Sequence, residues 1–227
     1  STQPLGRNSQ LVFENIDAEY LRIQQSEIEQ CRIDWNSYIS QGSVKLSPRK
    51  KLRDHQIQAL NAVKRGLEKE DRGKLIMACG TGKTLTSLRI AEEFAGIGKK
   101  VLYMVPSLAL MSQTIREWKN DAKEDFIAFS ACSDIKVGKK KSKSDQIDIS
   151  LSDLAFPATT DPYKLSDQIK HSEKKKMIVV FSTYHSIDVI TKAQLDHKLS
   201  EFDLIICDEA HRTTGATLVG EDDSNFL

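Results

Sequence analysis

The glycine-rich run Cys79-Gly80-Thr81-Gly82-Lys83-Thr84 constrains the fold of this chain more than any other segment. The short apolar stretch 75–78 precedes it and predicts a strand, and an amphipathic helix is predicted to follow over 83–94. Glycines at positions 80 and 82 allow a tight turn whose backbone N–H groups point at an anion. The positive end of the following helix strengthens that attraction. A strand, a glycine turn and a helix in this order predict a nucleotide-binding α/β domain.

An acidic motif, Asp208-Glu209-Ala210-His211, follows the apolar run 204–207 much later in the chain. In parallel α/β sheets, ligands bind at the carboxyl ends of the strands. At that edge Asp208 is expected to hold Mg²⁺, usually through water. Glu209 is expected to orient and polarise an attacking water, as phosphoryl-transfer sites require. The loop and the acidic motif together predict one pocket that holds ATP and Mg²⁺.

Two side chains at the end of the glycine-rich run complete the predicted catalytic set. Lys83 is expected to reach the β- and γ-phosphates, and the Thr84 hydroxyl is expected to bind Mg²⁺ together with Asp208. The first position of the G-x-x-x-x-G-K-[ST] pattern is Met77 in this chain, so the match is not strict. The predicted strand before the loop and helix after it still favour phosphate binding over a glycine turn that binds nothing.

Composition is that of an ordinary globular protein, with 39% hydrophobic and 29% charged residues and a formal net charge of +1. This excludes a histone-like polycation but not a local basic groove. The four cysteines are scattered without a C-x-x-C pair, which predicts a reducing, cytoplasmic location. The longest apolar stretches, such as 177–181, are far shorter than the about 20 residues of a membrane-spanning helix. The abrupt first and last residues suggest a fragment of a longer protein.

Apolar segments alternate with amphipathic stretches along the rest of the chain. A helix is predicted from Asp54, which is expected to cap it, and another over 108–120. Strands are predicted over 101–105, 126–131, 177–181 and 204–207. Near-continuous apolar strands separated by helices are typical of a mostly parallel sheet with helices on both faces.

The chain is predicted to have two parts. Residues 1–48 form a partly helical N-terminal extension and linker, with a helix from about residue 16 to 31. Residues 49–227 form the nucleotide-binding domain, interrupted by a partly mobile insertion over about 133–176. The lysine run 139–143 in this insertion is interpreted as a solvated loop, with a DNA-facing loop as the alternative. Asp161 is expected to cap a short helix that starts at Pro162.

The two motifs resemble those of the first RecA-like motor domain of superfamily 2 helicases and translocases, and three further segments appear in that family's order. The resemblance implies that Gln56, in Leu52-Arg53-Asp54-His55-Gln56, hydrogen-bonds the adenine edge. It also implies that Ser107 and Thr183, each just after a strand, contact the nucleic-acid backbone. The implied cofactor-binding residues are Arg53, Gln56, Cys79, Gly80, Thr81, Gly82, Lys83, Thr84 and Leu85.

The extended acidic motif, Asp-Glu-Ala-His-Arg-Thr-Thr, resembles DNA-translocating restriction enzymes of types I, III and ISP more than splicing or translation helicases. This resemblance implies that His211 or Arg212 couples the nucleotide state to a second motor domain. It further implies ATP-driven movement on duplex DNA, contacted mainly through phosphates, within a larger restriction-modification enzyme.

Two features of that family are missing from the sequence: the Ser/Thr-Ala-Thr motif after the acidic motif, and the second motor domain with its arginine finger. An arginine of this kind can contribute about 10³–10⁵-fold in rate. The 227-residue chain is therefore expected to bind ATP weakly and to hydrolyse it poorly on its own.

Three alternatives remain beside the motor. A P-loop nucleotide-binding switch or small-molecule kinase would need no nucleic-acid track, so stimulation by nucleic acid separates it from a motor. A non-catalytic module would keep ATP as a structural ligand and would tolerate Lys83→Ala. A restriction nuclease is suggested only by Asp161 and the run 173–175, which imitate its spaced Asp and Glu-x-Lys at a spacing that arises readily in a chain this rich in charge.

Overall fold

The computed structural model describes residues 32–132, 158–172 and 175–210. The chain divides after residue 49 into two compact units. The helix predicted over about 16–31 lies outside the described residues. Within the described residues, the helices are too short or too polar to span a membrane.

The described part of the first unit contains one short helix, α1 (Trp35–Gln41). The Asp34 carboxylate caps its start by accepting a hydrogen bond of 3.1 Å from the Ser37 N–H. The helix ends at Gly42, whose φ of 64° is a left-handed conformation that glycine adopts without strain. An isolated antiparallel bridge joins residues 33 and 46 on either side of the helix.

The second unit is built on a five-stranded sheet, whose strands are β1 (Lys100–Val105), β2 (Phe126–Ala131), β3 (Ala158–Thr159), β4 (Met177–Thr183) and β5 (Leu204–Cys207). Their order in the sheet is β3-β2-β4-β1-β5, and every pairing is parallel. The predicted parallel sheet is therefore confirmed, and four of the five strands were predicted within two residues of their observed ends. β3 was not predicted, because two residues carry no periodic pattern.

Helices cover both faces of the sheet; the first two precede β1, and the others lie between strands. They are α2 (Asp54–Leu67), α3 (Lys83–Phe94), α4 (Leu108–Asp121), α5 (Pro162–Lys170) and α6 (Ile187–Leu195), with a 3₁₀ turn over Tyr184–Ser186 before α6. α3 begins and ends at the predicted residues. Asp54 lies in the first turn of α2 and does not cap it, which corrects that prediction. The N-cap residue is Arg53, and the side-chain oxygen of Gln56 accepts a hydrogen bond of 2.8 Å from its N–H.

The core consists of two apolar layers, one on each face of the sheet. Successive residues of β1 point to opposite faces, as the period of two in a strand requires. Tyr103 packs with α3 and α4 on one face, where Trp118 is fully buried. Leu102 packs with α5 and α6 on the other face, against Leu165 and Ile190.

The apolar segment before the glycine loop is not a strand, which corrects the prediction over 75–78. Leu75 is 40% exposed and Ile76 is 90% exposed. A strand needs a neighbour to satisfy its backbone hydrogen bonds. Among the described strands, β5 at the edge of the sheet pairs only with β1, and no strand pairs with 75–78. Hydrophobicity alone therefore did not place this segment in the sheet.

Part of the predicted insertion over 133–176 belongs to the domain itself. β3 extends the sheet beside β2, and α5 buries Leu165 and Ile169 in the core. The prediction that Asp161 caps this helix is confirmed, because its carboxylate accepts from the Tyr163 N–H at 2.9 Å. This capping accounts for Asp161 without any nuclease chemistry. Residues 133–157 lie outside the described residues, as do 173 and 174.

Candidate nucleotide-binding site

The glycine loop turns through two residues in the left-handed region of backbone space. Gly80 has a φ of 73° and Gly82 a φ of 82°, conformations that cost a residue with a Cβ about 1–2 kcal/mol. The Thr81 hydroxyl closes the turn by donating to the Ala78 carbonyl at 2.6 Å. Gly82 is also the residue immediately before α3. The loop therefore delivers the chain directly into the helix whose first N–H groups have no intrahelical partner.

Gln56 supports this loop from α2. Its side-chain nitrogen donates to the carbonyls of Thr81 at 3.0 Å and Gly82 at 3.2 Å. The ring of His55 contacts the same Thr81 carbonyl at 3.0 Å. The support is close: a Cβ placed on Gly82 would lie 2.3 Å from the Gln56 nitrogen. The left-handed φ thus favours glycine at position 82, and a Cβ there would also push the Gln56 amide out of its hydrogen bonds to the loop.

Gln56, which is expected to read the adenine edge, has its side chain hydrogen-bonded within the protein in this structure, and its base-reading role stays a prediction. Its side chain is only 3% exposed, and both ends of its amide are hydrogen-bonded to backbone groups. The Thr81 carbonyl takes its hydrogen bonds from Gln56 and His55 of α2, whereas the Gly82 carbonyl also accepts from the Thr86 N–H at 3.1 Å. The structure therefore places Gln56 beneath the loop as its support, with its donors already engaged.

Lys83 and Glu209 meet across the site. The Lys83 ammonium donates a hydrogen bond of 2.6 Å to the Glu209 carboxylate, and both side chains are about one-third exposed. That hydrogen bond raises the pKa of Lys83 above its usual value, which keeps the lysine charged. Glu209 adopts a φ of 52°, which is unusual for a residue with a side chain. The predicted convergence of the glycine loop and the acidic motif is therefore observed.

Asp208 is held at the carboxyl end of β5 by its own backbone. Its N–H continues the sheet by donating to the Met104 carbonyl at 2.8 Å, and its carbonyl accepts from the Tyr184 hydroxyl at 2.7 Å. Its carboxylate accepts from the Glu209 N–H at 3.1 Å. Burial raises the pKa of Asp208, the charge of Glu209 raises it further, and Lys83 opposes both. A raised pKa at a sheet edge is typical of functional carboxylates.

Buried aromatic residues lie beneath these groups. The Tyr103 hydroxyl lowers the pKa of the nearby Asp208 carboxyl and lies 3.4 Å from the Ser87 hydroxyl. Burial raises the pKa of Tyr103 strongly, so it remains a neutral hydroxyl. The indole N–H of Trp118 donates to the Thr84 carbonyl at 3.1 Å. Both residues belong to the core layer that supports the site.

The donor set suits Mg²⁺. Thr84 offers a hydroxyl and Asp208 a carboxylate, and magnesium prefers hard oxygen ligands. No cluster of three or more His, Cys, Asp or Glu side chains able to hold a metal occurs among the described residues. Magnesium commonly binds through one or two protein oxygens while nucleotide phosphates and water complete its shell. The residues present therefore fit a magnesium ion that arrives with a nucleotide, and not a metal held by protein alone.

The remaining predicted cofactor residues have different surroundings. Cys79 is exposed in the loop. The Leu85 side chain is partly buried and packs against the core. Its backbone N–H lies in the first turn of α3, where N–H groups have no intrahelical acceptor and can bind a phosphate. Arg53 contributes a backbone N–H to Gln56, and its side chain is exposed. His211 and Arg212, the predicted coupling residues, lie outside the described residues.

The two predicted nucleic-acid contacts differ in accessibility. Ser107 caps α4 by accepting from the Leu110 N–H at 3.3 Å, and it is partly exposed at the carboxyl edge of the sheet. Thr183 is only 3% exposed, and its hydroxyl shares a hydrogen bond of 2.8 Å with the Ser186 hydroxyl. The Thr183 hydroxyl therefore shapes the turn after β4, and its contact with nucleic acid stays a prediction. His185 is the exposed residue of this turn.

Sequence reasoning missed several residues that support the site: His55, Tyr103, Trp118 and Tyr184. Three of them are aromatic side chains whose polar atoms point toward the site while the rings pack in or beside the core. A period of two or 3.6 predicts their burial but not the acceptor of their polar atom. For His55, the only signal was its position next to Gln56.

Together, the parallel sheet, the glycine loop leading into α3 and the acidic residues ending β5 define an ATP-binding RecA-like domain of the superfamily 2 helicase class. A model of the family described as type III restriction enzyme, res subunit, matches residues 49–221. The chain belongs to this family.

Comparison with known proteins gives the same placement. The chain is similar to the probable helicase A859L of African swine fever virus; the protein of the Kenyan isolate KEN-50 is 31% identical over 161 residues, covering 71% of this chain and 16% of that protein. The protein of the Badajoz strain shows the same identity and coverage. These relatives carry the word helicase in their names, and the chain spans only about a sixth of their length.

Two solved structures are similar in fold and sequence. One is the ATP-dependent type ISP restriction-modification enzyme LlaBIII bound to DNA, with a TM-score of 0.68 and 40% identity, covering 82% of this chain and 12% of that one. The other is a nuclease-deletion mutant of the type ISP enzyme LlaGI in complex with a DNA substrate mimic, with a TM-score of 0.57 and 42% identity, covering 71% of this chain and 15% of that one. The predicted restriction-enzyme type of helicase domain is confirmed.

Proposed function

We propose that this chain is the ATP-binding motor domain of a larger DNA translocase of the restriction-modification type. The single observation that carries the proposal is the 2.6 Å contact between Lys83 and Glu209. It brings the glycine loop and the acidic motif into one site, which is what phosphoryl transfer to water requires. Family membership favours a motor over a nucleotide switch or a structural ATP module.

In this proposal the glycine loop and the N-terminus of α3 bind the phosphates through backbone N–H groups. Lys83 leaves Glu209 and pairs with the β- and γ-phosphates, where its charge neutralises the transferred group. Thr84 and Asp208 hold Mg²⁺, which neutralises phosphate charge when it is bound. Glu209, once released from the lysine, accepts a hydrogen bond from the attacking water and orients it.

DNA is proposed as the track, contacted at the carboxyl edge of the sheet. Ser107 and the first N–H groups of α4 are oriented to bind a backbone phosphate. Both solved relatives hold DNA or a DNA mimic, which supports DNA over RNA. His211 and Arg212 are proposed to report the nucleotide state to a second motor domain, and a cytoplasmic location is proposed from the reduced cysteines.

The test has two stages. In the first, the 227-residue chain is titrated with a fluorescent ATP analogue with and without Mg²⁺, and Lys83→Ala is expected to abolish binding. In the second, ATP turnover of the whole protein is measured with and without duplex DNA, and stimulation by DNA is expected. Lys64→Ala is the matched control, because Lys64 pairs with Glu93 on the surface away from the loop. The proposal is contradicted if the affinity for the ATP analogue depends neither on Mg²⁺ nor on Lys83, or if DNA does not change the rate of ATP turnover.

A further inference from the structure

Trp118 joins helix α4 to the first turn of helix α3. Its indole N–H donates to the carbonyl of Thr84 at 3.1 Å. The side chain is fully buried, and its ring packs edge-to-face on Tyr103 at 5.0 Å and on Phe181 at 5.6 Å. A buried N–H that loses its acceptor is costly, because water cannot replace the lost bond. The bond therefore resists any separation of the indole from Thr84.

The Thr84 carbonyl has a second donor of a different kind. The Ser87 hydroxyl donates to it at 2.9 Å, but Ser87 lies on α3 itself and moves with Thr84. Trp118 comes from another helix. Of these two bonds, only the one from Trp118 links α3 to α4, so only this bond can transmit a movement of α4 to α3.

The other end of α4 lies at the proposed DNA edge. Ser107 caps the helix there, about three turns and about 16 Å from Trp118. A helix of this length moves nearly as a rigid body, and its neighbours are close-packed core residues. A shift at Ser107 therefore displaces the indole as well.

We propose that Trp118 is a positioning residue that couples a DNA phosphate bound at the start of α4 to the ATP site. This inference rests on the proposed function. When DNA shifts α4, the Thr84 carbonyl must follow the indole or leave a buried donor unpaired. Because the first turn of α3 also carries Lys83 and the Thr84 hydroxyl, the groups that bind phosphate and Mg²⁺ move with it. Coupling of this kind is reciprocal, so ATP changes DNA affinity by the same factor.

The decisive variant is Trp118→Phe, which keeps an aromatic ring in the core and removes the N–H donor. The affinity of the 227-residue chain for a fluorescent ATP analogue with Mg²⁺ is measured with and without a short DNA duplex. A single hydrogen bond corresponds to about a two- to tenfold change in an equilibrium constant. DNA is expected to change the affinity of the unsubstituted chain by a factor of that size. In Trp118→Phe this factor should fall to about one.

Ser87→Ala is the matched control. It removes a donor to the same carbonyl, but from within α3, so the effect of DNA on ATP affinity should remain. If Ser87→Ala abolishes the coupling as completely as Trp118→Phe does, then loss of either hydrogen bond to the Thr84 carbonyl is enough to disturb the site. The proposed transmission from α4 through Trp118 would then be wrong.

A second measurement keeps Trp118 in place. The sequence has two tryptophans, so Trp35→Phe makes Trp118 the only indole. Its fluorescence is expected to change as DNA is added and to saturate at the same DNA concentration as binding does. This measurement decides the matter if thermal melting shows that Trp118→Phe does not fold.

The outcomes separate the inference from the proposed function. The inference is overturned if a folded Trp118→Phe variant retains the effect of DNA on ATP affinity. It is also overturned if the unsubstituted chain binds ATP and DNA without either changing the affinity for the other, or if Trp118 fluorescence does not change when DNA is added. In each of these cases ATP binding still supports the motor domain. A chain that binds no ATP with Mg²⁺ overturns the proposed function and the inference with it.

Discussion

The Lys83 ammonium and the Glu209 carboxylate are hydrogen-bonded at 2.6 Å, although 126 positions separate them in the sequence. The lysine proposed to bind phosphate is thus paired with the carboxylate proposed to activate water. A nucleotide that takes Lys83 must displace Glu209. In the proposed mechanism, phosphate binding therefore frees the Glu209 carboxylate to orient the attacking water. In this structure the charges of Lys83 and Glu209 neutralise each other.

Glu209→Gln tests this exchange directly. The substitution removes the charge that competes with phosphate for Lys83, so ATP affinity should stay the same or tighten by up to about fivefold, the range of a partly exposed ion pair. ATP turnover by the whole protein with DNA should fall by about 10²–10⁴-fold, because the general base is lost. Binding is measured with a fluorescent ATP analogue. A tenfold loss of ATP affinity would show that Glu209 binds nucleotide instead of competing with it.

Gly82→Ala should disable the loop. An alanine at φ 82° costs about 1–2 kcal/mol, and its Cβ would lie 2.3 Å from the Gln56 nitrogen. We expect lower thermal stability and at least a tenfold loss of ATP affinity. Gly73→Ala is the control, because a Cβ there meets nothing within 4 Å, and its stability should change by no more than about 0.5 kcal/mol. Equal behaviour of the two variants would show that the loop tolerates a side chain.

Gln56→Ala separates the observed role of this residue from base reading. Loss of a buried amide that bonds the Arg53 N–H and the Thr81 and Gly82 carbonyls should destabilise the domain by about 1–3 kcal/mol. Since the loop is proposed to hold phosphates and not the base, the affinities for ATP and GTP should fall by the same factor. His55→Ala removes only an exposed contact to Thr81 and should have a smaller effect. A loss confined to ATP would mean that Gln56 turns to the adenine when nucleotide binds.

Asp208 should make magnesium-dependent nucleotide binding sensitive to acid. Burial and the charge of Glu209 raise its pKa above the ordinary value of 3.8, so it takes up a proton at a pH where exposed aspartates remain ionised. Mg²⁺ affinity should fall as the pH drops through this raised pKa. The folded state binds that proton more tightly than the unfolded chain does, so this group adds stability as the pH falls. Loss of binding should therefore precede unfolding, which parallel titrations by nucleotide fluorescence and circular dichroism can check.

In the E209Q variant the same titration has a second use. The charge of Glu209 contributes to the raised pKa of Asp208 after burial, so its removal should move the acid midpoint of Mg²⁺ binding to lower pH. If the acid midpoint of Mg²⁺ binding is the same in Glu209→Gln as in the unsubstituted chain, a group other than Asp208 is responsible for the titration.

Ser107 and Thr183 should respond differently to substitution. Ser107→Ala removes a proposed phosphate contact and the cap of α4, so DNA affinity should fall and stability should drop by about 1 kcal/mol. Thr183→Val removes the buried hydrogen bond to Ser186 and should destabilise the domain with little change in DNA affinity. Fluorescence anisotropy with a labelled duplex measures both. The opposite ranking would restore Thr183 as the DNA contact.

Most of the fold was predictable because it follows from local periodicity. The strands are near-continuous apolar runs, and α3 starts at Lys83 because a left-handed glycine precedes it. The exception, 75–78, shows the limit of this reasoning. Its composition resembles that of β5, but a strand forms only where another strand pairs with it, and Ile76 remains 90% exposed. Pairing is a property of the sheet and not of the segment.

The site was predictable in its chemistry but not in its internal contacts. The residue types at positions 83, 208 and 209 suit phosphate, metal and water, and the end of a parallel strand is the place for them. Gln56 and Thr183 were assigned to ligands because their positions follow a recognised order. In the structure both are buried and hydrogen-bonded to the protein. The orientation of a polar side chain depends on which neighbouring groups need a hydrogen-bond partner, and a sequence motif does not contain that information.

The amino-acid sequence alone determined the alternation of strands and helices, the two glycines of the loop and the presence of a lysine and two acidic residues for one site. These depend on backbone conformation and residue chemistry, which act locally. Only the tertiary structure decided that Lys83 pairs with Glu209, that Gln56 supports the loop and that Trp118 reaches Thr84. Each of these contacts joins distant segments, and their geometry arises from the packing of α2, α3 and α4 with the sheet.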